Sequence, residues 1–171
     1  MIRDMNSDTT DFKEEESFQM WRILLVEDEE IFARAVVKSL ERAGYYCKAV
    51  ATLKEARIQL SNEVNDYNLV ILDMRLPDGE GIELLADLID KKDSTPSVVV
   101  VTAYGDVAQA VEAMKLGAAD YLKKPIDLDE LLVTLERVME SAQIKSRLNF
   151  SLAREINYET KLELLGDSEI I

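Results

Sequence analysis

From Trp21 onward, short unbroken apolar runs alternate with longer segments whose apolar residues recur every three or four positions. The first kind reads as strands and the second as amphipathic helices. Arg22–Val26 predicts a strand, Ile31–Ala43 a helix closed by Gly44, and Tyr45–Val50 a second strand. Thr52 with Glu55 three positions on has the capping-box form and opens a helix to about Asn62. Leu69–Asp73 is a third strand, followed by a helix over Gly81–Ile89. Pro96 introduces the valine run Val98–Thr102, Asp106–Leu116 is helical with Gly117 after it, and Tyr121–Lys123 is a short fifth strand stopped by Pro125. Asp127, with Glu130 behind it, caps a last helix. Runs such as Leu69–Leu72 are apolar throughout before ending in a carboxylate, as in a strand covered on both sheet faces. Strands alternating with helices imply parallel crossovers. The expected fold is therefore α/β, a doubly wound five-stranded parallel sheet of flavodoxin-like form.

The two ends break this rhythm. Residues 1–20 are polar, carry the acidic cluster Glu14–Glu16, and are expected to be a flexible leader; the alternative is a helix around Phe12–Met20 packed on the body. At the other end, no Pro or Gly occurs between Ile126 and Gly166. A single helix there would reach on the order of 50 Å, more than the domain can cover. Leu131, Leu135, Val138 and Ala142 make one stripe at helical spacing, suited to packing on the sheet. Leu148, Leu152 and Ile156 make another where no sheet remains, although Lys145 interrupts the heptad. A partner helix is the natural cover for it. The expected division is a domain over residues 21–141, a dimerising linker helix over 142–165, and the start of something further over 166–171.

Composition narrows the chemistry. The chain has 171 residues, room for one domain and an appendage. Twenty Lys and Arg against 34 Asp and Glu give a net charge of −14, which repels phosphate backbones, so nucleic-acid binding by this chain is not expected. One cysteine, Cys47, excludes an internal disulfide and a cysteine zinc cluster. There is no histidine, which removes histidine acid/base catalysis and histidine metal ligands. No signal peptide and no membrane-length apolar run is evident, so a cytoplasmic protein without a membrane partner is expected.

What remains is carboxylate, hydroxyl and ammonium chemistry, and it falls at one edge of the sheet. Glu27 and Asp28 follow the first strand, Asp73 ends the third, Thr102 ends the fourth, and Lys124 follows the fifth. Open α/β sheets place their sites at these carboxyl ends. Close carboxylates do not all stay ionised without a cation. An oxygen-rich set suits a hard divalent ion such as Mg²⁺, and a lysine opposite adds a second positive charge for a phosphoryl oxygen. A carboxylate nucleophile can form an acyl phosphate. The constellation predicts phosphoryl transfer onto Asp73.

These residues carry a family resemblance. Arg22 to about Ser141 resembles the receiver domain of two-component response regulators, the chemotaxis receiver among them. The matching motifs are LLVEDEE, LVILDMRLPDG, VVVVTAYGD and GAADYLKKP, in this order. The resemblance implies that Asp73 is the phosphoacceptor and that Asp28, Asp73 and the backbone carbonyl of Met74 hold Mg²⁺, with Glu27 acting mostly through a metal-bound water. Glu27 is a mild departure, since the family often has Asp there. The resemblance further implies that Thr102 and the backbone of Ala103 bind phosphoryl oxygens, that Lys124 pairs with another, and that Lys124–Pro125 is a cis peptide bond. Tyr121 stands where the family has its aromatic switch residue, coupled to Thr102. The implied partner is a sensor histidine kinase, and the implied role is regulatory rather than enzymatic.

Arg75 and Tyr104 lie two positions beyond Asp73 and Thr102, at the rim, where bulky side chains would obstruct the hydrolytic water. Asp78 and Asp106 read as turn and cap residues, and Lys123 as solvated. A haloacid-dehalogenase-like phosphatase would need a second acid where Arg75 stands, and no Gly-rich phosphate loop follows the first strand for a nucleotide or flavin. The tail LELLGDSEII resembles the opening of the AAA+ domain of NtrC-type transcriptional activators. On that resemblance the chain is the regulatory part of a longer activator, and ATP hydrolysis, DNA and sigma factor/RNA polymerase contacts belong elsewhere. A stand-alone adaptor receiver is the alternative. Dimerisation is expected through the fourth helix, fifth strand and fifth helix, through the linker, or through both.

Overall fold

The structure, a computed structural model, describes residues 20–62, 66–91, 95–103 and 105–167. The expected leader up to Gln19, Tyr104, and the tail from Ser168 onward lie outside the described residues. Five strands form one parallel sheet: β1 (Arg22–Val26), β2 (Tyr46–Val50), β3 (Leu69–Asp73), β4 (Ser97–Thr102) and β5 (Asp120–Lys123). Their order is β2-β1-β3-β4-β5. The helices are α1 (Glu30–Arg42), α2 (Leu53–Ser61), α3 (Gly81–Asp90), α4 (Val107–Leu116) and α5 (Leu128–Asp167). Their bounds, the long α5 included, lie within a residue or two of the predicted ones.

Two cores explain the unbroken apolar strands. Ile23, Leu25, Leu69, Ile71, Val99 and Val101 pack on one face with α1 and α5. Leu24, Val26, Val70, Leu72, Val98 and Val100 pack on the other with α2, α3 and α4. Alternate residues of each strand thus feed opposite cores, and neither parity can be polar.

Local signals set the helix ends. Thr52 Oγ1 accepts the Glu55 amide at 3.1 Å, while the Glu55 carboxylate takes the Ala51 amide at 2.9 Å, one residue earlier than a capping box predicts. Asp106 accepts the Gln109 amide at 3.3 Å and Asp127 the Asp129 amide at 2.8 Å, each capping the helix that follows. Gly117 takes φ +113° to end α4. Between β3 and α3 the chain makes a hairpin of two-residue arms, Arg75–Leu76 against Gly79–Glu80, which the apolar pattern did not predict. Arms this short carry no readable period.

α5 is one uninterrupted helix of 40 residues, about 60 Å long at 1.5 Å per residue. Leu131, Leu135, Val138 and Met139 are buried against the body. Ala142 is half-buried, and every residue from Gln143 to Gly166 is exposed. No helix among the described residues is long and apolar enough to cross a membrane.

Candidate functional site

The sheet order puts a crevice at the carboxyl ends of β1 and β3, where the chain leaves in opposite directions for β2 and for β4. Ladder bonds continue one residue past the strands and hold the site residues rigidly. The Glu27 amide donates to the Val50 carbonyl (2.9 Å), the Met74 amide to Val101 (3.1 Å), and the Lys124 amide to Thr102 (2.8 Å). Glu27, Asp73 and Lys124 therefore project from a backbone that cannot easily shift.

Their side chains meet. Lys124 Nζ lies 2.8 Å from Glu27 Oε2 and 2.8 Å from Asp73 Oδ2, bridging the two acids. The other oxygens are also engaged, Glu27 Oε1 by the Glu29 amide (2.9 Å) and Asp73 Oδ1 by the Arg75 amide (3.0 Å). Glu27 is 3% exposed and Asp73 7%, whereas Asp28 faces solvent. One oxygen from each of Glu27, Asp28 and Asp73 lies within 4.8 Å of the others, so these three could share a metal ion. The Lys124 ammonium also lies 5.4 Å from the centre of the Phe32 ring.

The electrostatics fit a site short of positive charge. Burial raises the Glu27 carboxyl above its ordinary value; the Lys124 and Glu29 hydrogen bonds oppose this, and the Asp73 charge adds to it. For Lys124, burial alone would lower the ammonium, but the hydrogen bonds and charges of Asp73 and Glu27 outweigh it and raise it. The cluster thus keeps its one ammonium charged while one carboxyl resists ionisation. A divalent cation beside these oxygens would relieve that strain.

Other predicted positions fall as follows. Thr102 is buried and its Oγ1 donates to the Leu122 carbonyl at 3.4 Å, away from the carboxylates. Ala103 opens the loop after β4, and its carbonyl accepts the Asp106 amide at 3.2 Å. Tyr121 is exposed and lines a hollow of about 360 Å³ with Val107, Val111 and Met114 of α4. Lys124–Pro125 is a cis peptide bond, and Lys123 is exposed. The Met74 carbonyl accepts the Gly81 amide at 2.9 Å, at the first residue of α3, which occupies one of its two lone pairs. Among the described residues, the carboxylates of Glu27, Asp28 and Asp73 are a set that could hold a metal ion.

Three contacts were not read from the sequence. Arg75 Nη2 pairs with Asp106 Oδ2 at 3.2 Å, across the mouth of the site. Asp78 receives the Leu53 amide on Oδ1 (2.9 Å) and the Lys54 amide on Oδ2 (3.0 Å), capping α2 from the hairpin tip. Phe32 approaches Lys124 from α1. The PDG turn marked a capping acid at Asp78, but nothing local named the helix it would cap.

Residues 23–136 match the response regulator receiver domain family. The chain is 33% identical over 113 residues to the acid tolerance regulatory protein ActR of Rhizobium meliloti, covering 66% of this chain and 57% of that protein. It is 34% identical over 149 residues to the C4-dicarboxylate transport transcriptional regulatory protein DctD of Pseudomonas aeruginosa, covering 86% of this chain and 31% of that protein. Among solved structures, NtrX from Brucella abortus matches with a TM-score of 0.70 at 26% identity, over 76% of this chain and 29% of that one. The chain spans less than two thirds of the length of each of these relatives.

Proposed function

The chain belongs to the receiver-domain family of response regulators, and from that premise we propose that Asp73 accepts a phosphoryl group from a partner histidine kinase. The observation that carries this reading is the Asp73 carboxylate itself, nearly buried and bridged to Glu27 by one shared ammonium at 2.8 Å. Glu27, Asp28 and Asp73 would hold Mg²⁺, which when bound offsets the charge gathering on the phosphoryl oxygens.

An Asp73 carboxylate oxygen attacks the phosphorus, and the bond from phosphorus to the donor imidazole nitrogen breaks. That nitrogen keeps the electron pair, and an acyl phosphate remains on Asp73. Lys124, already on Asp73 Oδ2, moves to a phosphoryl oxygen, and the Ala103 amide and Thr102 hydroxyl take others. Thr102 must give up the Leu122 carbonyl to do so, which frees Tyr121 to turn into the hollow beside α4. Arg75, two positions beyond Asp73, bears on how long the phosphoryl group persists, and the place of Tyr104 two positions beyond Thr102 in the sequence gives it an expected part in obstructing water. The protein acts as a regulatory phosphoacceptor in the cytoplasm rather than as a metabolic enzyme.

The output is dimerisation through the face of α4, β5 and α5, through the exposed length of α5, or both. We read residues 21–141 as the receiver, 142–165 as the linker and 166–171 as the start of an AAA+ domain of an NtrC-type activator. DctD and NtrX, both longer than this chain, support that reading. DNA and sigma factor/RNA polymerase contacts then belong to the full-length activator.

Acetyl phosphate with Mg²⁺ should add one phosphoryl group to the wild type, seen as a single mass increment, and change its elution on sizing. Asp73→Asn should show neither. If Asp73→Asn responds as the wild type does, the assignment fails.

A further inference from the structure

Arg75 is tied to the phosphoacceptor at one end and to α4 at the other. Its amide donates to Asp73 Oδ1 at 3.0 Å, so its backbone stays beside that carboxylate. Its guanidinium reaches Asp106 Oδ2 at 3.2 Å. The other oxygen of Asp106 accepts the Gln109 amide at 3.3 Å and caps α4. The Asp106 amide closes the loop onto the Ala103 carbonyl at 3.2 Å. One carboxylate thus holds both the guanidinium and the start of a helix.

That pairing is open to competition. The Arg75 side chain is 71% exposed, so rotating it needs no element to move. Asp106 offers it a single negative charge, whereas a phosphoryl group carries about −1.5 to −2 and three acceptor oxygens. The planar fork of a guanidinium suits such oxygens well. Lys124, the cation bonded to Asp73, is already divided between two carboxylates.

We propose that Arg75 is a phosphoryl-binding residue stored on the α4 cap: when Asp73 is phosphorylated, its guanidinium leaves Asp106 for the phosphoryl oxygens, and the first turn of α4 loses its tie. The proposal rests on the reading of Asp73 as phosphoacceptor. It differs from a steric role at the rim because charge, not bulk, does the work.

The test uses beryllofluoride with Mg²⁺ on the full chain, with affinity and amide hydrogen exchange at Gln109 and Ala110 as readouts. In the wild type, beryllofluoride should speed exchange at these amides by up to about fivefold, the range an exposed ion pair allows. Asp106→Asn keeps a capping acceptor but loses the pair, and should show the faster exchange before any ligand is added. Arg75→Gln should show the same, gain little further on adding beryllofluoride, and bind it several-fold more weakly, with Arg75→Lys partly restoring affinity. Equal affinity and an undiminished α4 response in Arg75→Gln would overturn the proposal while leaving Asp73 as the acceptor. Failure of the wild type to bind beryllofluoride would overturn both readings.

Discussion

Asp73 precedes a tight hairpin and Asp78 sits at its tip, yet their oxygens accept from different donors. Asp73 takes an ammonium and one amide; Asp78 takes the first two amides of α2. Those amide bonds hold the Asp78 carboxyl below its ordinary value of 3.8. A lowered acid contributes stability that is present above the ordinary value and is lost as pH falls through the lowered one. Asp78→Ala should therefore lower the urea midpoint at neutral pH, and the gap to the wild type should close as the pH is taken below 3.8. A gap that stays constant with pH would sink this account. At this scale the acids and the lysine of the site were legible, because each follows an apolar run at a strand end. The targets of Asp78 and Arg75 were not, because they lie 25 and 31 positions away in sequence. The hydrogen bond on the Met74 carbonyl was not legible for a related reason. Gly81 begins α3 hard against the chain after Asp73, where an added Cβ would stand 2.4 Å from the Asp73 carbonyl oxygen. That close approach draws the Gly81 amide onto Met74.

Among the elements, α5 shows how one helix can serve two environments. Leu135 is fully buried, while Leu152 is 56% exposed on the same helix. Leu135→Ala should cost about 2–5 kcal/mol of unfolding free energy, the range for a truncated core leucine. Leu152→Ala should change receiver stability by less than about 0.5 kcal/mol but weaken self-association. Denaturant melts of the monomer, paired with sizing, separate the two effects. Equal destabilisation by both would mean that the exposed length of α5 packs on the body. The two stripes were readable as periodicity, and so was the absence of a breaker. Which stripe finds a sheet depends on where the body ends, and that is a tertiary fact.

For the molecule as a whole, charge and apolar surface pull against each other. Each copy carries −14, and the exposed part of α5 presents Ile144, Leu148, Phe150, Leu152 and Ile156. Raising salt shortens the screening length from about 10 Å at 0.1 M to about 3 Å at 1 M, which removes repulsion without weakening apolar contact. Self-association measured by sedimentation equilibrium should therefore strengthen with sodium chloride. Weakening with salt would point to an ionic interface instead. The absence of histidine fits the proposed partner chemistry, since these 171 residues hold no imidazole to supply a phosphoryl group to Asp73. By itself the sequence determined the alternation of strands and helices, because period and turn residues are local properties, and with it the sheet edge where Glu27, Asp28, Asp73, Thr102 and Lys124 gather. Only the tertiary structure decided that one ammonium is shared by two acids, that Thr102 turns to Leu122, and that Arg75 rests on the cap of α4. Those are choices of side-chain torsion between segments distant in the chain, and they are made by whichever donor or acceptor the fold brings within reach.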